Sequence, residues 1–276
     1  MTIDLAGIIA TPPSGRQRAV LLDGDDYAQS VLLQGRALPI GEPMAYANFF
    51  GQVQDLLQPD AAMLSLGPVY AGLLEDRLRT AMGARSRTGF ALRTMLGDVD
   101  VTARAVELVT LVVRTQRRPV VLQIPSPRQW LTWTHPYSGD LEAGALGADD
   151  AENASMYVAD WLRNFASLPL AGVLLDDRDA APTAAQPAIP LEVYSPVANT
   201  ADHYRWTLAM RHLDRVELRG SAYTGAVIPP DFWRQQDVAL GTGDFLIGAI
   251  PADAVPEVVL GRVRALGQAS AGQPLS

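Results

Sequence analysis

The chain has 276 residues, 48% hydrophobic and 19% charged, which suffices to bury a large core and excludes intrinsic disorder. The net charge of −8 and the scattered arginines oppose binding to a nucleic-acid backbone. No apolar run approaches the roughly 20 residues that a membrane span needs, and no basic segment precedes the first short apolar run. We therefore expect a cytoplasmic protein with no nucleic-acid or membrane partner.

Two residue types are missing from the sequence. It contains no Cys and no Lys, so all 22 basic residues are Arg. A chain without Lys cannot form a Schiff base and has no P-loop lysine, and a chain without Cys has no thiolate nucleophile or thiolate metal ligand. Arg can bind carboxylates or phosphates, but its high pKa makes it a poor proton shuttle. A GC-rich genome would produce the same bias, and these exclusions hold in either case.

Apolar segments of strand length alternate with helical patterns along the chain. The predicted strands cover residues 5–10, 19–22, 61–66, 88–92, 120–124, 172–175, 191–194, 215–218 and 245–250. The predicted helices cover residues 43–57, 71–82, 101–116, 150–166, 200–212 and 256–266. In the segment 101–116 the apolar residues recur at the spacing of a helix that packs on a sheet.

This alternation predicts βαβ units and a parallel sheet. About eight strands in a chain of about 250 residues favour a (β/α)₈ TIM-type barrel. A doubly wound open sheet is the alternative, but no GxGxxG motif follows the first strand. Residues 19–34, which contain Asp23-Gly24-Asp25-Asp26, are predicted to form an inserted β-hairpin. We expect one barrel domain at 1–267 and a flexible tail at 268–276.

Three segments resemble the superfamily of barrels that includes cobalamin-independent methionine synthase and uroporphyrinogen decarboxylase. The sequence VVLQIPSPRQW at 120–130 is similar to that superfamily's strand and proline-bearing loop. The sequence GVLLDDR at 172–178 resembles the following strand with its acidic end, and FLIGAIPADAVPEVVLGRVRAL at 245–266 resembles the closing strand and helix. The resemblance covers about half of the chain and implies a barrel fold.

The resemblance does not extend to the zinc site of the methionine synthase branch. That branch binds zinc through a His-x-Cys, a Glu and a second Cys, whereas the corresponding position here reads Tyr194-Ser195-Pro196. Only Glu217 could match the glutamate, and one carboxylate cannot hold a tetrahedral zinc. The resemblance therefore leaves either an enzyme of different chemistry or a barrel that has lost catalysis.

The candidate site residues follow the predicted strands, because barrels place their functional groups at the carboxyl ends of strands. The residues predicted to act in catalysis are His135, Asp177, Tyr194, His203 and Glu217. The residues predicted to bind substrate are Arg93, Gln123, Arg128, Trp130, Trp133, Tyr137, Asp176, Arg219 and Tyr223. In the segment after 120–124, the Trp rings would stack on a ligand, Arg128 would hold an anion and His135 would move a proton. A rigid loop whose aromatic residues cover the barrel explains the same segment.

The adjacent carboxylates Asp176 and Asp177 can raise each other's pKa or bind a hard cation such as Mg²⁺. We expect one of them to face the pocket and the other to face away. A solvated acidic turn, with Arg178 as its counter-charge, is the alternative.

The remaining candidates have similar alternatives. Tyr194 could hydrogen-bond substrate or act as an acid, and His203 falls in the first turn of the predicted helix 200–212, where the dipole favours a neutral base. A structural role for His203 fits equally well. Glu217 and Arg219 lie on one side of their predicted strand, facing the pocket or forming a buried ion pair.

The leading hypothesis is a small-molecule enzyme, a lyase, isomerase or transferase, that uses acid-base chemistry without a cofactor or a tightly held metal. A non-catalytic ligand-binding or scaffold barrel is the alternative. The helix Pro43–Leu57 has an apolar surface wider than one stripe, which predicts a homodimer with Tyr46 or Phe50 at its interface. The segment 19–34 could cover the same surface within the chain.

Overall fold

The computed structural model describes residues 3–138, 146–178, 189–234 and 238–267. The strands are β1 (Ala19–Asp23), β2 (Ala61–Ser65), β3 (Val120–Pro125), β4 (Leu170–Asp176), β5 (Thr207–Arg211), β6 (Arg215–Leu218), β7 (Thr224–Ile228) and β8 (Phe245–Ala249). The helices are α1 (Leu5–Ala10), α2 (Asp25–Val31), α3 (Pro43–Leu57), α4 (Leu66–Leu73), α5 (Asp76–Met82), α6 (Phe90–Leu96), α7 (Val99–Thr115), α8 (Pro127–Thr134), α9 (Ala148–Leu162), α10 (Ser195–Tyr204) and α11 (Pro256–Leu266). The eight strands close into a barrel in chain order, which confirms the prediction of an α/β barrel.

One strand of the barrel runs against the others. Strands β1 to β5 pair with one another in parallel, and so do β7, β8 and β1. Strand β6 is antiparallel to both β5 and β7. Residues 212–214 and 219–223 link it to its neighbours, and such links are too short for the crossover that a parallel connection needs. The barrel therefore departs from the all-parallel arrangement of a regular (β/α)₈ barrel.

The interior of the barrel is apolar and is closed at one end by helix α1. Leu5, Ile8 and Ile9 of this helix are buried in the same cluster as inward-facing strand residues such as Leu21 and Val121. The prediction of a strand at 5–10 is therefore wrong. The side chain of Asp4 accepts a hydrogen bond from Gly7 N and caps the helix, and six apolar residues alone do not distinguish a strand from a helix.

Other predicted elements also differ from the structure, among them the helix at 71–82, which is the end of α4 followed by α5. Residues 88–92 contain the start of α6, and residues 191–194 form a 3₁₀ turn instead of a strand. The predicted hairpin at 19–34 is strand β1 followed by helix α2. The predicted helix at 200–212 covers the end of α10 and all of β5, because Arg205 takes a left-handed conformation that ends the helix. Strand β7 was not predicted.

Helix α3 has the predicted bounds, with Pro43 in its first turn and a left-handed residue after its end. Its flank is covered within the chain. Phe49 and Val53 pack with Tyr27 of α2, and Tyr46 and Phe50 are almost fully buried. The prediction that Tyr46 or Phe50 lies at a dimer interface is therefore wrong, and the segment 19–34 covers part of this helix, as the alternative expected.

None of the helices in the described part of the chain is long and apolar enough to cross a bilayer. The tail predicted at 268–276 lies outside the described residues.

Candidate functional site

A cleft of about 340 Å³ opens at the end of the barrel where the parallel strands finish. Residues from β1, α2, β3, α8 and β4 line it, among them Asp23, Asp25, Gln123, Trp133, Asp176 and Arg178. This is the end at which barrels of parallel strands carry their functional groups. Helix α1 closes the opposite end, so the cleft has a closed floor.

Asp176 is the anchor of the cleft wall. Its two carboxylate oxygens accept hydrogen bonds from Arg178 Nε at 2.7 Å and Arg178 Nη2 at 2.5 Å. Gln123 Nε2 donates to Asp176 Oδ2 and to Ser65 Oγ, both at 3.3 Å. Burial lowers the pKa of Arg178, but the hydrogen bonds and charge of Asp176 outweigh it and the pKa is raised overall. The wall is therefore held by charge-assisted hydrogen bonds to Asp176 and by a neutral hydrogen bond from Gln123 to Ser65 on β2.

Arg211 is a buried charged group next to the cleft-lining residue Asp176, although it does not itself line the cleft. It lies two residues after Ala209, whose side chain belongs to the interior cluster, and it pairs with Asp176 in the β4–β5 register. Only 1% of Arg211 is exposed, and no described residue accepts a hydrogen bond from its Nε or Nη1. Burial and the nearby charge of Arg178 lower the pKa of Arg211 to about 10, so the guanidinium is still charged at neutral pH.

Two carboxyl groups at the start of the chain's first βα connection face the same cleft. Asp23 ends β1, and its Oδ1 accepts a hydrogen bond from the backbone N of Asp25 at 3.4 Å. Burial raises the pKa of Asp23, while Arg211 and Arg178 oppose the shift. Burial and the charges of Asp23 and Asp26 raise the pKa of Asp25 well above its ordinary value. The two groups therefore titrate as a pair, in which one proton is held tightly.

Further polar atoms in the cleft are also unsatisfied. Asp25 Oδ2 and Gln123 Oε1 are buried, and no described residue donates a hydrogen bond to either. The Tyr46 hydroxyl lies close enough for the charges of Asp25 and Asp23, added to burial, to raise its pKa well above the ordinary value. Buried polar atoms without partners are rare in native proteins. Others lie elsewhere among the described residues, such as Arg18 Nε and Trp233 Nε1, but Asp25 Oδ2 and Gln123 Oε1 both belong to residues that line this cleft.

Asp177 points to the other side of β4 from Asp176. It accepts hydrogen bonds from Ser126 Oγ at 2.5 Å and from Arg128 Nη2 at 3.0 Å. Ser126 also caps α8 by accepting a hydrogen bond from Gln129 N. Burial raises the pKa of Asp177, although Ser126 and Arg128 oppose the shift. This network fixes α8 to the end of β4 and lies outside the cleft.

The expectation that one of the two adjacent carboxylates faces the pocket and the other faces away is confirmed, and Asp176 is the one that faces the cleft. Because Asp176 and Asp177 point apart, they cannot hold one cation together. Tyr194 is buried on the Asp177 side, and burial and the charge of Asp177 raise the pKa of its hydroxyl. Sequence reasoning placed Tyr194 at a strand end, but its 3₁₀ turn directs it into the core.

The aromatic segment after β3 is a helix, α8, followed by a 3₁₀ turn. Trp133 lines the cleft, whereas Trp130 is fully buried against Tyr70 and Trp161. His135 is buried, and Tyr137 packs against the core. The reading of this segment as a cover over the barrel fits the buried Trp130 and His135, whereas Gln129 and Trp133 line the cleft.

The other predicted site residues lie away from the cleft. Arg93 lines a groove between α6, α7 and α9 on the outer surface. His203 is exposed in the last turn of α10, where the negative end of the dipole lies, so its predicted first-turn position is wrong. Because α10 begins at Ser195, the helix start was misplaced.

Glu217, Arg219 and Tyr223 are displaced because β6 runs in the reverse direction. Glu217 Oε1 lies 3.3 Å from His212 Nε2, and Arg219 forms an ion pair with Asp202. Glu217 and Arg219 therefore have separate partners instead of facing a pocket together. Tyr223 lies in the link after β6, at the end of the barrel that α1 closes.

Sequence reasoning missed Asp23, Asp25, Ser65 and Arg211 as site residues, and it gave Arg178 only the role of a counter-charge. The acidic residues after the apolar segment 19–22 could have indicated a site at a strand end, but their pattern also fits the turn of a hairpin, which is the prediction given above. Arg211 was hidden because its strand was read as the end of a helix.

Within residues 3–138, 146–178, 189–234 and 238–267, no three His, Asp or Glu side chains are grouped so that they could hold a metal ion. No protein-family model, no curated protein and no solved structure matches this chain.

Proposed function

We propose that this protein is an enzyme that moves protons on a small polar metabolite bound in the cleft, by acid-base chemistry without a metal or cofactor. The observation that carries the proposal is the carboxyl pair Asp23 and Asp25, desolvated beside the buried Arg211. Catalytic acids and bases need a pKa shifted toward the working pH, and desolvation with like charges produces that shift.

The pair supplies both halves of a proton transfer. The Asp23 carboxylate accepts a proton from a carbon beside a carbonyl, and the Asp25 carboxylic acid returns a proton to the substrate. Two carboxyl groups in unequal environments divide the roles of base and acid in this way. The reaction is redox neutral and needs no co-reactant, which corresponds to an isomerase or a lyase.

The remaining cleft residues position the substrate. Gln123 is held by Ser65 and Asp176, so its orientation is fixed before a ligand binds. The ring of Trp133 forms a flat apolar wall. Both carboxylate oxygens of Asp176 accept hydrogen bonds from Arg178. Asp176 is therefore better suited to holding the cleft in shape than to accepting a proton from the substrate.

The proposal includes the kind of barrel. We propose a variant of the TIM type, related to the methionine synthase and uroporphyrinogen decarboxylase superfamily, in which β6 has reversed. The parallel run from β1 to β5, with helices between the strands, supports this view. The homodimeric state and the cytoplasmic location stay predictions.

The test is proton exchange with solvent. The protein is incubated in heavy water with short keto acids, hydroxy acids and neutral hydroxy ketones, and deuterium incorporation is followed by NMR. We expect exchange or conversion of at least one compound, with loss of about a hundredfold or more in Asp23→Asn and Asp25→Asn. Asp202→Asn, an exposed change away from the cleft, is the matched control.

Exchange that persists unchanged in both cleft variants would refute the proposed carboxyl pair. Binding of a compound without any exchange or conversion would favour the alternative, a ligand-binding barrel without catalysis. That outcome is distinguishable because the binding is measured by calorimetry on the same samples.

A further inference from the structure

The structure assigns to Arg211 the role of an oxyanion receptor, so that the ligand of the cleft is a small molecule carrying a carboxylate or phosphate with a neighbouring hydroxyl group. This inference deepens the proposed function and rests on the same cleft. It names the chemical class of the substrate, which the carboxyl pair alone does not.

The first step concerns Arg211, which lies near the charges of Asp176 and Asp23, while two of its nitrogens make no hydrogen bond to a described residue. Its Nε and Nη1 donate to no described residue although the side chain is 1% exposed. The carboxylate opposite it in the β-ladder, Asp176, already accepts three hydrogen bonds from the side chains of Arg178 and Gln123 and a fourth from Arg178 N. Burying a charged group without hydrogen bonds costs free energy. A bound ligand of opposite charge would supply the missing hydrogen bonds and lower that cost.

The second step concerns the amide of Gln123. Its Nε2 donates to Ser65 and Asp176, which leaves Oε1 as a buried acceptor that no described residue fills. A ligand hydroxyl group can donate to this oxygen. An oxyanion for Arg211 and a hydroxyl for Gln123 therefore belong to one ligand.

The third step is size. The cleft of about 340 Å³ lies at the small end of ligand sites, which span roughly 300 to 1,000 Å³. It accommodates a short hydroxy acid or a small phosphate ester. Four carboxyl side chains line the cleft and repel anions (Asp23, Asp25, Asp26 and Asp176), so the ligand carries few anionic groups and places one of them at Arg211.

The experiment measures binding by calorimetry with defined probes: hydroxymalonate, malonate, inorganic phosphate and glycerol. We expect hydroxymalonate to bind more tightly than malonate, and glycerol not to bind in the same millimolar range. The phosphate arm distinguishes a phosphate site from a carboxylate site. Failure of all three anions to bind would overturn the inference.

The variants assign the binding to particular atoms. Arg211→Met is expected to weaken every anion by about tenfold or more, and Arg211→Lys to recover only part of the loss. Gln123→Leu is expected to remove the preference for hydroxymalonate over malonate while malonate still binds. Arg219→Met, on an exposed arginine paired with Asp202, is the matched control and should bind as the parent does.

Unchanged anion affinity in Arg211→Met would overturn the inference. If Arg211→Met does not fold, the Gln123→Leu and Arg211→Lys variants provide the test. A preference for hydroxymalonate over malonate that persists in both variants would also overturn the inference. Anion binding without proton exchange would refute the proposed enzyme and leave this inference intact. Turnover of neutral hydroxy ketones alone would support the proposed enzyme and overturn this inference.

Discussion

Asp176 and Asp177 are adjacent in the chain, yet they lead into two different polar clusters on opposite sides of β4. On the Asp177 side, Ser126 and Arg128 satisfy the carboxylate in a buried network that attaches α8. On the Asp176 side, the side chain of Arg178 donates hydrogen bonds to both carboxylate oxygens. No described residue accepts a hydrogen bond from Nε or Nη1 of Arg211. Both clusters bury charge. Unsatisfied polar atoms occur on both sides, since the Tyr194 hydroxyl on the Asp177 side has no hydrogen-bond partner among the described residues either. The two clusters differ in their charged groups, because Arg128 is paired with Asp177, whereas Nε and Nη1 of Arg211 donate to no described residue.

The largest expected effect breaks the Asp177 cluster. Asp177→Ala leaves Arg128 buried without its carboxylate, and loss of one partner of a buried pair costs about 3 to 5 kcal/mol in the free energy of unfolding. Asp176→Ala should cost less, about 1 to 2 kcal/mol, because Arg178 and Asp176 keep 28% and 18% of their side-chain area exposed. Urea unfolding of both variants checks the difference, and equal losses would contradict the division into two clusters.

A change at Arg211 is expected to alter stability in the opposite direction from a change at Arg128. Burial lowers the pKa of Arg211 from 12.5 to about 10, which means that the charged side chain destabilises the fold by about 3 kcal/mol. We therefore expect Arg211→Met to raise the free energy of unfolding by about 1 to 3 kcal/mol, and Arg128→Met to lower it, since Arg128 is paired with Asp177. A large loss of stability in Arg211→Met would identify Arg211 as a structural residue.

The carboxyl pair predicts a pH dependence. Because the pKa of Asp25 is higher in the folded protein than in the unfolded chain, its contribution to stability is present at low pH and is lost as the pH rises through the folded pKa. The Asp25→Asn variant has no carboxyl group to ionise at this position, so it does not lose stability in this way. We expect the variant to be more stable than the parent by about 1 to 2 kcal/mol at pH 8, and the difference to disappear toward pH 4. Denaturant unfolding at several pH values measures it, and a difference independent of pH would refute the raised pKa.

The sequence predicted an element correctly where its local pattern agrees with its role in the tertiary structure. Helix Pro43–Leu57 was predicted with both bounds because its apolar stripe and its first proline agree. Trp133 and Asp176 were found by the rule that barrels place functional groups after strands. The direction of β6 was not predictable from its residues, since a short link decides it. Arg211 was missed for a related reason: Arg205, and not a glycine, ends helix α10, so no local signal separated that helix from β5.

The smallest expected effect comes from Glu217, which was predicted to be catalytic. Glu217 is part of β6, the reversed strand, and pairs with His212 on a partly exposed surface. Glu217 is partly exposed, although His212 is buried, and Gln keeps an oxygen at the position of Glu217 Oε1. Glu217→Gln should therefore change the free energy of unfolding by less than about 0.5 kcal/mol. It should also leave anion binding and proton exchange unchanged, in contrast to Asp25→Asn. If Glu217→Gln instead abolished proton exchange, catalysis would have to occur on the outer side of β5 and β6, and the cleft beside Arg211 would no longer be the site.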